Sequence, residues 1–264
     1  MSLLEIQNCT IQYGDGAPAV SDVSLSVEEK EIVSIVGESG SGKTTLIRAV
    51  LGILPVGGHI ASGKILFQDE DLTAMDEDDL CRIRGEKIAM IFQDVGASLD
   101  PIRRVESQYT ESIRTHHKIH KRDAVAMEED MLSRVKLADP DRILQSYPFE
   151  LSGGMKQRVG IAMSMTARPR LLLADEPTSA LDVTVQAQVV RELKELRDKY
   201  DAAIILVTHN MGVASYISDR IGVMKSGELV EYGTRDEVIY HPQHEYTKSL
   251  LDAVPRLEGK RFAK

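Results

Sequence analysis

The sequence is poor in cysteine and contains no tryptophan. Its two cysteines, Cys9 and Cys81, lie far apart in a chain of 264 residues. A disulfide framework needs several pairs, and a cysteine metal site needs closely spaced ligands, so neither is indicated. A reducing, cytoplasmic environment is the simplest interpretation.

Long apolar runs and an excess of basic residues are also absent. No apolar stretch approaches the ~20 residues that a membrane-spanning helix needs. The start, MSLLEIQNCTIQYG, lacks the basic segment and apolar run of a signal peptide. The net charge of −9 argues against a broad nucleic-acid-binding face, because phosphate backbones select basic surfaces. If the protein acts at a membrane, another subunit must bring it there.

The strongest positive signal is a glycine-rich stretch between a β-branched apolar run, 32–36, and a helix-forming segment. Glycines let backbone N–H groups and the helix N-terminus point at phosphate oxygens. Lys43 adds positive charge at the β and γ phosphates, and the Thr44 hydroxyl can bind Mg²⁺. A Gly/Ser turn is the alternative, but the sequence favours a nucleotide site. The phosphate-binding pattern G-x-x-x-x-G-K-[ST] is matched by Gly37-Glu38-Ser39-Gly40-Ser41-Gly42-Lys43-Thr44.

The spacing of apolar residues predicts an α/β fold. Alternation over 3–13 and 23–27 predicts half-buried antiparallel strands. Later in the chain, continuous apolar runs alternate with helical patterns, which predicts a mostly parallel sheet covered on both faces. The buried runs are 88–92, 171–175 and 204–207, and a clear amphipathic helix spans 184–200.

Polar side chains end three of these buried strands: Gln93, then Asp175 with Glu176, and His209. Ligands of open α/β sheets bind at the carboxyl ends of the strands. Asp175 fits the magnesium-side acid of a phosphate-loop nucleotidase. Glu176 is a candidate general base for a water that attacks the γ phosphate. The alternative is that both acids end the strand and stay hydrated.

A second glycine-rich helix start lies at 151–158, Leu-Ser-Gly-Gly-Met-Lys-Gln-Arg. Ser152 can cap a helix that runs on through Ala167. The two glycines leave the N–H groups of this helix start open to an anion. One nucleotide does not need two such starts in one chain, which suggests that the second serves a nucleotide on a partner subunit.

These motifs, in this order, resemble the ATP-binding cassette (ABC) subunits of membrane transporters over essentially the whole chain. The resemblance implies a phosphate-loop nucleotidase core of mostly parallel sheet, with an antiparallel β subdomain and an inserted helical subdomain. It implies ATP hydrolysis with Mg²⁺ held by Thr44, Gln93 and Asp175. It also implies one ABC ATPase domain over 1–264, with the nucleotide-binding core at 1–93 and 159–264 and the helical insert at 94–158.

The resemblance also assigns a role to each motif. Tyr13, for which the spacing alone favours a simple strand-end aromatic over base stacking, corresponds to the adenine-stacking residue. Thr45 extends the ATP-binding set of 37–44, and Gln93 senses both magnesium and the membrane subunit. Glu176 is the catalytic base and His209 the γ-phosphate switch. The signature, acting in trans, comprises Leu151, Ser152, Gly153, Gly154 and Gln157, and the dimer-interface loop comprises Ser179, Ala180, Leu181 and Asp182.

A narrower likeness is to the dipeptide, oligopeptide and nickel importer branch. It rests on Tyr147-Pro148-Phe149-Glu150, on 90–94 with Ser98-Leu99-Asp100-Pro101, and on His244-Glu245-Tyr246-Thr247 with 253–255. Many peptide-branch members carry a cysteine cluster after the counterpart of Pro255. This sequence reaches Lys264 with none, so no iron–sulphur cluster is expected. Val95-Gly96-Ala97 also differs from the usual proline-methionine there.

The resemblance implies partners and a location. Expected partners are membrane permease subunits, a second ABC ATPase subunit (the same or a related chain) and, indirectly, an extracellular or periplasmic binding protein, but no nucleic acid. The chain would lie peripherally on the cytoplasmic face of the cell (inner) membrane. The alternatives are a soluble ABC ATPase that acts on DNA or ribosomes, and a small-molecule kinase, which would not need the signature. The sequence does not identify the cargo.

Overall fold

The computed structural model describes residues 2–179 and 181–254. By the density of internal contacts these fall into two units, 2–80 with 203–254 and 81–202. This division has different boundaries from the predicted insert at 94–158, and the domain assignment stays a prediction. No helix of the described ranges is both long enough and apolar enough to cross a membrane.

The strands are β1 (Ser2–Tyr13), β2 (Val20–Glu28), β3 (Ile32–Val36), β4 (Gly58–Phe67), β5 (Glu70–Asp71), β6 (Ile88–Ile91), β7 (Leu171–Asp175), β8 (Ala203–Thr208), β9 (Arg220–Lys225) and β10 (Glu228–Thr234). The helices are α1 (Lys43–Val50), α2 (Glu77–Ile83), α3 (Val95–Ser98), α4 (Val105–His116), α5 (Lys121–Arg134), α6 (Pro140–Gln145), α7 (Gly153–Met165), α8 (Val183–Tyr200), α9 (Met211–Ile217), α10 (Arg235–Tyr240) and α11 (Glu245–Asp252).

The first unit contains an antiparallel sheet in the order β2-β1-β4-β5. Its strands bury alternate side chains, such as Leu4 and Ile6 of β1 and Val23 and Leu25 of β2. A period of two places one set of side chains on the core face, as the alternation of the sequence predicts. Asn8 and Asp22 have positive φ, and the β1–β2 register shifts beside them.

The same unit contains β10, β9, β3 and β8 side by side. β3 runs parallel to both β8 and β9, with Val36 opposite Thr208 and Val223. All five residues of β3 and all six of β8 are buried, as expected of parallel strands covered on both faces. The carboxyl ends of β3 and β8 therefore lie together at one edge of the sheet.

The second unit pairs β6 with β7 in parallel, with Ile91 opposite Ala174. Helix α7 packs on β6, helices α3, α4, α5 and α8 pack on α7, and all nine residues of the two strands are buried. Tyr109 of α4 is fully buried and its hydroxyl lies 2.5 Å from the Thr166 hydroxyl after α7. The segment predicted to be helical from residue 94 onward contains helices, and the first of these, α3, starts at Val95.

Candidate nucleotide-binding site

The predicted phosphate loop is a tight turn between β3 and α1. Gly42 has a φ of 99°, and a Cβ there would lie 2.5 Å from the carbonyl oxygen of Ala19. Gly37 is equally constrained, because its Cβ would lie 2.2 Å from the Met224 carbonyl oxygen. The backbone conformation and the close approach of these two carbonyls thus require glycine at both positions. By contrast, a Cβ on Gly40 would meet nothing within 4 Å, so the loop has open space at its middle.

Lys43 lies inside this loop with only 4% of its surface exposed. Its Nζ donates to the carbonyl oxygens of Gly37 (2.9 Å) and Glu38 (2.7 Å) and to the Ser41 hydroxyl (3.2 Å). A buried ammonium needs such oxygen acceptors, because burying an unpaired charge is costly. The loop itself is braced by Ser41 N donating to Glu38 O and Gly227 N donating to Ser41 O. A compact cationic cradle suited to phosphate results.

Two more of the predicted site residues of the first unit lie beside this loop. The Tyr13 hydroxyl, at the end of β1, is 3.4 Å from the Thr45 hydroxyl of α1. His209 is exposed and follows Thr208, which is paired with Val36 just before Gly37. The next residue, Asn210, caps α9 by accepting from the N–H groups of Gly212 and Val213.

The second unit brings Gln93 and the strand acids to one edge. Because Ile91 pairs with Ala174, Gln93 and Asp175 leave neighbouring strands in the same direction. Asp175 is fully buried and Gln93 is exposed. Glu176 is half-buried and has a φ of 43°, a left-handed backbone that is uncommon for a residue with a side chain. Such strain is often stored at functional sites.

The signature forms the exposed start of α7. Ser152 Oγ accepts from the Met155 N–H (3.3 Å), which is the predicted cap. The helix ends at Met165, two residues earlier than predicted. Leu151 and Gln157 are buried, and Gln157 Nε2 has no hydrogen-bond partner among the described residues.

The predicted dimer-interface loop lies against the signature. A Cβ on Gly154 would be 3.0 Å from a Val185 methyl, and one on Gly153 would be 4.0 Å from a Leu181 methyl. Ser179 N and Oγ both donate to the Glu176 carbonyl oxygen. Asp182 caps α8 by accepting from the N–H groups of Thr184 and Val185. Ala180 lies outside the described residues.

The sequence motifs alone did not indicate an ion pair beneath the signature. Arg158 Nη2 lies 3.0 Å from Glu192 Oε1, and its Nε donates to Glu192 Oε2 (3.1 Å). Arg158 also donates to Gln188 Oε1 (2.8 Å). Glu192 is 1% exposed; burial raises its pKa, and the Arg158 charge opposes that shift. The helical spacing of Gln188 and Glu192 was the available signal, since both lie on one face of α8.

Comparison with known proteins identifies the family. The family described as "ABC transporter" matches residues 20–179, which include the phosphate loop, the signature and both strand acids. The chain belongs to the ABC transporter family. A second family, "Oligopeptide/dipeptide transporter, C-terminal region", matches residues 230–263. Its last residues, from 255 on, lie outside the described part of the chain.

Several curated relatives are similar to this ABC subunit over most of their length. The oligopeptide transport ATP-binding protein OppD of Bacillus subtilis is 43% identical over 261 residues, covering 97% of this chain and 73% of OppD. AmiE of Streptococcus pneumoniae, another oligopeptide transport ATP-binding protein, is 47% identical over 240 residues, covering 90% and 68%. The dipeptide transport ATP-binding protein DppD of Bacillus subtilis is 42% identical over 260 residues, covering 97% and 78%.

Solved ABC structures share the fold. The ATP-binding cassette MJ0796, a dimer in a post-hydrolysis state with ADP and Pi, has a TM-score of 0.79 and 28% identity, covering 88% of this chain and 98% of that one. cbiO1 from Clostridium perfringens, part of the ABC transporter complex cbiONQ, has a TM-score of 0.80 and 25% identity, covering 96% and 94%. The predicted fold class is confirmed, and the chain is an ATP-binding, ATP-hydrolysing subunit of an ABC transporter.

Proposed function

We propose that this ABC subunit energises the uptake of peptides through a partner permease. The match of residues 230–263 to the oligopeptide/dipeptide transporter C-terminal region carries the proposal. Relatives that cover most of this chain are named for oligopeptide and dipeptide transport. Nickel complexes, which the sequence left open, are the alternative cargo. A soluble ABC ATPase acting on nucleic acid is disfavoured by the net charge of −9.

The proposed nucleotide site uses the phosphate loop, 37–45, with Tyr13 against the adenine. The loop holds the positive charge of the Lys43 ammonium, and it has open space at Gly40. This combination of a fixed cation and free space fits a polyphosphate. Lys43 would pair with the β and γ phosphates. His209, which leaves β8 beside the start of the loop, is the proposed contact for the γ phosphate.

Mg²⁺ is proposed at Thr44, Gln93 and Asp175. A hydroxyl, an amide oxygen and a carboxylate are the hard oxygen donors that this ion prefers. The described residues contain no group of three His, Cys, Asp or Glu side chains suited to a metal. A site with one carboxylate fits that finding, because Mg²⁺ at nucleotide sites takes its other ligands from phosphate and water. When bound, the ion neutralises charge that develops on the phosphates.

Glu176 is the proposed general base. Its backbone has a φ of 43°, and its carbonyl oxygen accepts from both the N–H and the hydroxyl of Ser179 just beyond β7, which supports a defined main-chain conformation there. A carboxylate there can accept the proton of a water that attacks the γ phosphate. The signature residues, with 179–182, are proposed to face the nucleotide of a second cassette subunit, because Ser152 and Gly153 at the start of the helix are exposed.

The permease is proposed to dock on exposed apolar side chains of the second unit. Ile102 is 82% exposed and Phe149 is 67% exposed. Their segments are neighbours, since Arg104 lies 5.9 Å over the Tyr147 ring and Tyr147 stacks on Phe149 at 5.4 Å. Gln93 and the stretch 95–103 lead into this surface, which fits a permease segment with an apolar face on the cytoplasmic side of the membrane.

Uptake in cells lacking the gene tests the proposal. Labelled dipeptides and oligopeptides should fail to accumulate, and the wild-type chain but not Lys43→Ala should restore uptake. Ile102→Glu with Phe149→Glu should abolish uptake while the purified chain still binds ATP, and Val56→Glu, at a fully exposed apolar residue of the first unit, is the matched control. Loss of nickel uptake with normal peptide uptake would contradict the assignment of cargo.

A further inference from the structure

The peptide-transporter-type C-terminal region contacts the phosphate loop through one hydroxyl group. The backbone N–H of Glu38, the second residue of the loop, donates to the Tyr246 hydroxyl at 3.1 Å. Tyr246 is in α11, within the region matched by the oligopeptide/dipeptide family. Loop N–H groups at phosphate sites usually point inward at the anion. This one instead points at a side chain more than two hundred residues away in sequence.

The Tyr246 ring is fixed on several sides. It is 9% exposed and packs in a cluster with Val36, Val223, Val238 and Leu251. Val36 is the residue directly before Gly37, so the ring supports the strand that leads into the loop. The Lys225 ammonium lies 5.0 Å over the ring, at a distance typical of a cation–π contact.

The backbone before Tyr246 is held as firmly. The Glu231 carboxylate of β10 accepts from the N–H groups of Gln243 (2.8 Å) and His244 (3.1 Å). His244 Nδ1 then accepts from the Tyr246 N–H (3.1 Å) and caps α11. Both the ring and the backbone of Tyr246 therefore have fixed positions. Because its hydroxyl is held in place in this way, it can fix the position of the Glu38 N–H that donates to it.

We propose that Tyr246 is a positioning residue that holds the phosphate loop in its nucleotide-binding form. Glu38 N donates to Tyr246, and Glu38 O accepts from Lys43 and from Ser41 N, so both main-chain polar groups of this residue have defined partners. Gly37 is meanwhile packed on the Met224 carbonyl. The first turn of the loop is thus preorganised before nucleotide arrives, which lowers the entropy lost on binding. This inference deepens the proposed role of the phosphate loop and rests on it.

Tyr246→Phe is the direct test, because it keeps the ring, its packing and the Lys225 contact and removes only the oxygen. Tyr232→Phe is the matched control. Tyr232 also lies under a cation, with Arg220 4.1 Å over its ring, and its hydroxyl also bonds to a backbone group, the Ser26 carbonyl. Both variants lose one hydroxyl-to-backbone hydrogen bond of the same unit, but only one loses a bond to the loop.

In the full chain, Tyr246→Phe should raise the KM for ATP and the Kd for ADP about three- to tenfold, the range for one net hydrogen bond. The kcat at saturating ATP should change less than about twofold, since the loop still closes on bound phosphate. Hydrogen exchange of the Glu38 amide should accelerate by about tenfold or less without nucleotide and recover with it. Tyr232→Phe should leave KM, Kd and Glu38 exchange at wild-type values.

Two results would overturn the inference. One is wild-type KM and Glu38 exchange in Tyr246→Phe; the other is an equal rise of KM in both variants, which would indicate a general loss of stability. A wild-type chain that does not bind ATP would instead contradict the proposed nucleotide site. The hydrogen-exchange rate of the Glu38 amide can be measured without nucleotide, and its change in Tyr246→Phe would then test the positioning role alone.

Discussion

The phosphate loop and the signature both place glycines before a helix, yet the two helix starts use them differently. At α1 the glycines Gly37, Gly40 and Gly42 all have positive φ, and the helix starts without a side-chain cap. At α7 the backbone is ordinary, and the Ser152 hydroxyl caps the helix from the surface. The first start encloses a lysine that is 4% exposed. The second is open, with Ser152 and Gly153 exposed.

This difference indicates that the two helix starts have different roles in binding nucleotide. A cradle that contains its own cation can hold an anion unaided, because the charge supplies most of the attraction. A helix start without a lysine beside it supplies a partial charge only, worth less than a full one. We therefore expect the phosphate loop to bind nucleotide in the single chain, and the signature to act only on a nucleotide already held by another subunit.

The largest expected effect comes from removing the Lys43 side chain from the phosphate loop. Lys43→Ala should weaken ATP binding by roughly ten- to a hundredfold, since it removes charge-assisted hydrogen bonds to phosphate, and should reduce hydrolysis to background. Lys64→Ala, which removes an exposed lysine paired with Asp71, is the control. Fluorescent-nucleotide titration and phosphate release measure the two effects, and near-normal turnover of Lys43→Ala would refute the assignment.

The second prediction separates the two helix starts. Glu176→Gln should bind ATP–Mg²⁺, hydrolyse it barely, and form a dimer that size-exclusion chromatography detects only with ATP. Adding Ser152→Arg should abolish the dimer but leave ATP binding by the monomer unchanged, because the phosphate loop is intact. Ser133→Arg, at an exposed serine of α5, is the control.

A monomeric Glu176→Gln protein at saturating ATP–Mg²⁺ would point to a different cassette subunit as partner. Persistence of the dimer in the Ser152→Arg double variant would show that the signature is not a trans-acting site.

The third prediction concerns what supports α7. Arg158→Met leaves the buried Glu192 carboxylate without its ion pair, so the free energy of unfolding should fall by about 3 kcal/mol. Arg158→Met with Glu192→Gln should recover much of this, because no charge is then buried alone. Arg134→Met, which breaks an exposed pair with Asp130, should change stability by less than about 0.5 kcal/mol. Urea denaturation compares them; equal losses for Arg158 and Arg134 would argue against a supporting role.

The fourth prediction uses pH to distinguish two carboxylates of the second unit, Glu128 and Glu106. Glu128 of α5 is fully buried, Thr110 donates to its Oε1, and burial raises its pKa from 4.5 to about 7. An acid with a raised folded pKa is more protonated folded than unfolded, so its ionisation removes stability as pH rises from about 4.5 to 7. Glu106, Lys121 and Glu129 are the charges that act on it.

Glu128→Gln should therefore be more stable than wild type at pH 8, by about 1–2 kcal/mol once the new buried NH₂ is allowed for. Near pH 4.5 the wild-type acid is protonated, only the cost of the NH₂ remains, and the variant should be less stable than wild type by about 1–2 kcal/mol. Glu106→Gln should behave in the opposite way. Its pKa is lowered by hydrogen bonds from Lys121 and Gln145, so it contributes stability that is present at neutral pH and lost on acidification. Thermal melts at both pH values provide the measurement, and a pH-independent Glu128→Gln difference would contradict the assignment.

The sequence was informative where a motif fixes the backbone and less so where tertiary contacts decide. The phosphate loop, the Ser152 cap and the strands ending at Asp175 and Thr208 could all be predicted, because local patterns specify them. Tyr246 and the Arg158–Glu192 pair could not. Their partners are distant in sequence and become neighbours only when the sheet and helices pack, so no local spacing marks them.

The smallest expected effect concerns the two glycines at the start of α7, which we compare with the glycines of the phosphate loop. Neither Gly153 nor Gly154 has positive φ, so alanine is compatible with the backbone at both positions. A Cβ on Gly153 would meet only Leu181 at 4.0 Å, whereas one on Gly154 would press on Val185 at 3.0 Å. Alanine is favoured over glycine inside helices, but Gly153 is the first residue of α7. Gly153→Ala should therefore raise the free energy of unfolding by at most about 0.5 kcal/mol, and Gly154→Ala by less.

Suppose that the exposed start of α7 binds a second subunit's nucleotide. The Gly153→Ala protein, although more stable, should then dimerise more weakly with ATP in the Glu176→Gln background. The reason is that the new methyl group would stand between the helix N–H groups and the phosphate. Stability and dimerisation would then move in opposite directions. Such a split is what distinguishes a glycine kept for an approaching ligand from one kept for its backbone. If both quantities rose together, the glycines of α7 would serve the fold alone, and the contrast with the phosphate loop would disappear.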